Sequence, residues 1–195
     1  MLRLNLVHKL LFAILIPILL SSCSYTYGQP PETSDPWKLI RNARVWINEG
    51  RPRGALPSIN KALEETEKLD KKSKHYQHTK AAVYNEMGRV FIMLNDMNSA
   101  EQYLKNANKL SLQVGYRALQ LDINYNLSTL YEMKHDERTA CNYLAKVVDL
   151  YKDLYEKPAD YPDGYGVIGT KEFLEGFARP RINAKSKKMN CSLKI

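Results

Sequence analysis

The sequence predicts an all-α fold, and three observations carry that expectation. Apolar residues recur at i, i+3, i+4 and i+7, the spacing that builds one buried face of a helix. Short turn signals interrupt the pattern: Gly50 before Pro52, the pair Asn95-Asp96, and Gly115. Small residues also return in register, with Ala55, Ala100 and Ala140 spaced 45 and 40 residues apart. The pattern is clearest in the stretch 84–107, YNEMGRVFIMLNDMNSAEQYLKNA. Tyr84, Met87, Gly88 and Phe91 fall on one helix face, the pattern breaks at Asn95-Asp96, and Ala100, Leu104 and Ala107 resume it. Gly88 and Ala100 sit where the two helices come closest, so a large side chain at either would overpack the contact by about 1–3 kcal/mol.

This stretch resembles a tetratricopeptide repeat, the helix–turn–helix unit of many α-solenoids. Tyr84 takes the first large position, Met87-Gly88 the Leu-Gly pair and Phe91 the following aromatic. Ala100, Leu104 and Ala107 take the small–large–small series of the second helix, and Leu112 stands where the family has its closing proline. The resemblance implies an α-solenoid of about three repeats with a short C-terminal capping helix. Its usual period is about 34 residues, so the wider spacing here implies extra helical turns. Three units are about the minimum for a stable stack, because each buries its apolar face only on a neighbour.

The chain has 195 residues, enough for one folded domain, with a formal net charge of +8. A basic balance fits nucleic acid, an anionic membrane surface or simple solubility. Three cysteines are too few for a disulfide framework. Residues 1–22 read as a signal peptide: Arg3 and Lys9 precede the apolar run LLFAILIPILL, Leu10 to Leu20, which is too short to span a bilayer. Leu20-Ser21-Ser22-Cys23 resembles the bacterial lipobox, which implies cleavage before Cys23 and lipidation of its sulfur. The chemistry needs a nucleophilic thiolate, and each buried methylene of the acyl chains contributes about 0.8 kcal/mol to anchoring. The other reading is an ordinary signal peptide or uncleaved anchor with an incidental cysteine. Ser24 after the cysteine resembles an outer-membrane sorting signal. Residues 23–35 form a polar tether rich in Ser, Thr, Pro and Gly.

The repeat domain is expected over 36–155. Ser34 or Asp35 offers an N-cap, with Pro36 at the first helical position. Leu39, Ala43 and Trp46 mark the first helix, and Ala55, Ile59 and Ala62 the second. Asn42 replaces the family's Leu, and Pro57 lies early in its helix, where a missing amide costs least. Lys71 to Lys80 reads as a basic bridge, either a loop or a join of extended helices. His75 and His78 there are read as solvated, since no further ligand completes a metal site. Gly115 closes the second unit. In the third, Leu127 and Tyr131, then Ala140, Leu144 and Val147, repeat the pattern.

Residues 156–195 are expected to form a loop, a capping helix from Lys171 to Phe177 over the last repeat, and a basic tail. Cys141 and Cys191 are either bridged, stapling the tail to the last helix pair, or two free thiols.

No phosphate-binding glycine loop, nucleophile elbow or zinc spacing is present in the sequence. Basic residues cluster without aromatics placed for base stacking, which argues against nucleic acid. We therefore expect no enzyme, no cofactor and no metal. The family layout places Arg44, Ile47, Asn85, Arg89, Ile92, Tyr125 and Thr129 on the concave groove. There they either bind a partner's peptide, with arginines pairing its carboxylates, or merely solvate the surface. These residues do not reproduce the two-carboxylate clamp of chaperone-binding relatives. The expected function is a lipid-anchored adaptor binding envelope proteins, in assembly of a pilus, secretion system or outer-membrane complex. The alternative is an accessory lipoprotein regulating peptidoglycan enzymes. Either places the protein in the bacterial envelope, on the outer membrane facing the periplasm.

Overall fold

The structure, a computed structural model, describes residues 29–158 and 170–193. The signal peptide, Cys23, most of the tether, the loop 159–169 and Lys194 lie outside these residues. The described residues form seven helices and no strand. Six are α1 Pro36–Asn48, α2 Pro52–Glu67, α3 Lys74–Met93, α4 Met97–Val114, α5 Arg117–Met133 and α6 Glu137–Glu156. The seventh, α7, starts as α-helix Lys171–Phe173, passes through a π-helical turn Leu174–Ala178 and ends as α-helix Arg179–Lys188. None is long and apolar enough to cross a membrane.

Helices pair in sequence, α1 with α2, α3 with α4 and α5 with α6, and each hairpin packs on the next. The first helices of successive hairpins also touch directly, α1 on α3 and α3 on α5. The turn inside each hairpin is built the same way. Gly50, Asn95 and His135 adopt φ of 73°, 62° and 59°. Arg51, Asp96 and Asp136 then donate their backbone N–H to the carbonyls of Trp46, Phe91 and Tyr131, each at 2.9 Å. This left-handed residue with its long return bond satisfies carbonyls that a helix end leaves open. Asp96 and Asp136 then cap the next helix by accepting from the amides of Ser99 and Thr139. Although it lies outside the three hairpins, α7 ends likewise: Asn190 has φ 52° and the Cys191 amide donates to the Ser186 carbonyl. In its ending, α7 thus matches the first helices α1, α3 and α5.

Asp35 caps α1 through the Trp37 amide at 2.9 Å, and Gly115 ends α4 at φ 75°. Asn42, in the family's Leu position, accepts from the Ser58 hydroxyl at 2.7 Å, so a polar pair joins α1 to α2 there. Two apolar cores result. One runs through α1 to α5 and includes Leu39, Ile59, Leu104 and Leu127; the other joins α5, α6 and α7 through Leu144, Leu154, Leu174 and Ile182. Each such buried side chain contributes about 1.5–3 kcal/mol.

Of the two readings of the bridge 71–80, the extended helix holds from Lys74 onward, because Ser73 caps α3 by accepting from the Tyr76 amide and so adds a turn to its start. Two other expectations are corrected. His78 is thereby not solvated: it is 3% exposed, with its ring 5.0 Å from Trp37 and 3.8 Å from Tyr116. His75, three residues earlier, is exposed. The capping helix does not stop at Phe177 but continues to Lys188. Its buried face is Leu174, Ala178, Ile182, Lys185 and Ser186, and two polar members of that face hide the helical stripe.

Candidate functional site

Four helices turn one face each toward a common cleft of about 470 Å³. From α1 come Arg44, Ile47 and Asn48, and from α3 Arg89, Ile92 and Met93. α5 supplies Asp122, Tyr125, Asn126 and Thr129. α7 closes the fourth side with Phe173, Phe177, Arg181 and Lys185, spaced four residues apart and so on one helix face. A smaller hollow of about 50 Å³ opens between α5 and α7, with Tyr125, Phe173 and Phe177 around it and Asp122 and Arg181 beside them.

The polar side chains of the cleft are held from beneath. Glu86 is 0% exposed and accepts from Arg44 Nε at 2.7 Å and Arg89 Nη1 at 2.9 Å. Burial opposes its ionisation, but the two guanidiniums outweigh burial and hold its carboxyl below the usual range. Arg89 also donates to Asn48 Oδ1 at 3.2 Å, tying α3 to α1. Asn85 donates to Asp122 at 2.6 Å and accepts from Asn126 at 2.9 Å, tying α3 to α5. Burial pushes the Asp122 carboxyl up, against the attraction of Arg89. On the far side Lys185, itself buried, donates to Thr129 Oγ1 at 3.1 Å and to Glu132, and its Nζ lies 5.3 Å from the Tyr125 ring centre. Lys188 pairs with the other Glu132 oxygen at 2.6 Å.

Of the residues assigned to the groove from sequence, Arg44, Ile47, Arg89, Ile92, Tyr125 and Thr129 line the cleft. Asn85 does not. It is 0% exposed, because its amide is spent on Asp122 and Asn126 under the surface. Cys141 and Cys191 form a disulfide with Cα atoms 5.7 Å apart, joining α6 to the segment just after α7. Sequence reasoning missed Asp122 and the whole α7 wall. The spacing 173, 177, 181 and 185 was the available signal, but two of those positions carry cations that read as tail.

Among the described residues no group of three or more His, Cys, Asp or Glu is placed to hold a metal. What the arrangement offers is recognition: guanidinium and ammonium donors, one carboxyl acceptor and aromatic faces on a preformed surface. No family model matches the chain, and no curated protein or solved structure matches it either.

Proposed function

We propose that this chain is a lipid-anchored adaptor of the bacterial envelope, an α-solenoid of three tetratricopeptide-like hairpins whose cleft holds a segment of a protein partner. The observation that carries the reading is convergence: α1, α3, α5 and α7 each spend one face on the same concavity. The repeat reading is supported by the same left-handed turn and return bond at Gly50, Asn95 and His135, 45 and 40 residues apart like the alanines. The anchor rests on Leu20-Ser21-Ser22-Cys23, and outer-membrane sorting on Ser24. Assembly of a pilus, a secretion system or an outer-membrane complex is the natural setting for such an adaptor.

Phe177→Ala tests the cleft, because Phe177 lines it yet is 43% exposed, so truncation spares the core. Tagged wild-type protein should capture a defined set of envelope proteins by crosslinking and mass spectrometry. The variant, at an unchanged melting temperature, should lose most of that capture. Capture that survives the truncation undiminished removes the cleft as the partner site. Secretion or assembly subunits should dominate the captured set; peptidoglycan enzymes in their place would move the protein to wall regulation.

A further inference from the structure

Positive charge is concentrated on the α7 wall of the cleft. Lys185 and Lys188 share one carboxylate, Glu132, so that cluster keeps one positive charge after internal pairing. Arg181 adds another. It is exposed, and its guanidinium carbon lies 3.5 Å from the centre of the Phe177 ring, a cation–π contact that holds the head group over the ring. No carboxylate of a described residue pairs with Arg181. Its neighbour across the small hollow is Asp122, whose second oxygen is engaged from below by Asn85.

We infer that the α5–α7 side of the cleft selects an acidic, extended peptide segment, with a carboxylate on Arg181 and an adjacent aliphatic side chain in the hollow between Tyr125, Phe173 and Phe177. The inference rests on the cleft being the partner site and names the chemistry of the partner. Charge complementarity is the first support: Arg181, which pairs with no carboxylate of a described residue, faces an opening lined by aromatic rings, beside a Lys185–Lys188–Glu132 cluster that keeps one positive charge. A planar guanidinium ordered by stacking loses little freedom when it binds a carboxylate through two donors. The hollow is the second support, since about 50 Å³ suits one small aliphatic side chain. Asp122 is the third. A carboxyl at that rim accepts a backbone N–H, a donor that an extended peptide supplies and a phosphodiester lacks.

The test uses the full-length protein in detergent micelles and fluorescein-labelled hexapeptides read by anisotropy. The probes are Gly-Asp-Leu-Gly-Asp-Gly, its Asp-to-Asn counterpart and an oligothymidylate. The acidic peptide should bind at least about tenfold more tightly than the amide version, and more weakly as salt rises past about 100 mM. Arg181→Gln should remove most of that difference while leaving the melting temperature unchanged. Equal binding of acid and amide, an unaffected Arg181→Gln variant, a failure of every probe to bind, or tighter binding of the oligothymidylate would each overturn the inference. If the acidic preference fails while Phe177-dependent capture persists, only the partner's chemistry was misread. If both fail, the cleft itself was.

Discussion

Gly88 lacks a side chain because Leu104 takes the space. A Cβ built on Gly88 would lie 2.5 Å from the Leu104 Cγ, a branch point inside the core rather than a movable tip. Gly88→Ala gains about 1 kcal/mol of helix propensity but meets about 1–3 kcal/mol of overpacking. We expect a net loss near 1 kcal/mol in urea unfolding; a more stable variant would mean that Leu104 has room to turn. His78 sets a second residue-scale expectation. Burial between Trp37 and Tyr116, helped by the nearby His75, lowers its pKa to about 4 from the usual 6.5. The unfolded chain therefore takes up the proton first. Stability from neutral His78 is fully present above about pH 6.5 and is lost as the pH falls to about 4, by about 3 kcal/mol. His78→Phe should flatten that limb of the stability–pH curve, whatever it does to stability at neutral pH.

At the scale of elements, the hairpins are joined by polar contacts under the cleft as well as by apolar ones. Glu86 holds α1 to α3, and Asn85 with Asn126 holds α3 to α5. α7 is held differently. It packs on α6, pairs with Glu132 through Lys185 and Lys188, and is closed by the Cys141–Cys191 bridge across a separation of 50 residues. In the chain-entropy account a bridge over that distance contributes about 4 kcal/mol. Cys141→Ser with Cys191→Ser should therefore speed amide exchange in 178–188 well before it affects α1 to α4. Unchanged exchange there would show that side-chain packing alone fixes the wall.

At the scale of the whole molecule, the adaptor we propose needs both the cleft made by the helices and a lipid anchor at Cys23. Metabolic labelling with an alkyne palmitate analogue should mark the wild-type protein and not Cys23→Ser. Equal labelling of the two, or none, would place the protein free of a lipid anchor on this cysteine. The cleft should be unaffected by that substitution, since residues 36–188 hold every helix that lines it.

Helix number, turn positions and the small residues at close contacts were legible in the chain, because each follows from local rules. Periodicity places Tyr84, Gly88 and Phe91 on one face, and Asn95-Asp96 ends it. Most of the cleft's first three walls were legible for a different reason: the resemblance to a helical repeat implies which face of each first helix turns to the groove, and Arg44, Ile47, Arg89, Ile92, Tyr125 and Thr129 do line the cleft. Asn85 shares that assignment yet sits beneath the surface, because the depth of a side chain depends on the partners a neighbouring helix brings, here Asp122 and Asn126. His78 was read as solvated because its two aromatic neighbours come from α1 and from the residue before α5.

The sequence by itself therefore determined the all-helical class, the hairpin order and the polar faces, all consequences of spacing along one chain. Only the tertiary structure decided that α7 is a fourth wall of the cleft. Its buried Lys185 looks like solvent-facing charge until Glu132 and Thr129, more than fifty residues away along the chain, are brought beside it. A charge is stable in a buried place only when distant partners compensate it, and no local pattern records which partners those will be.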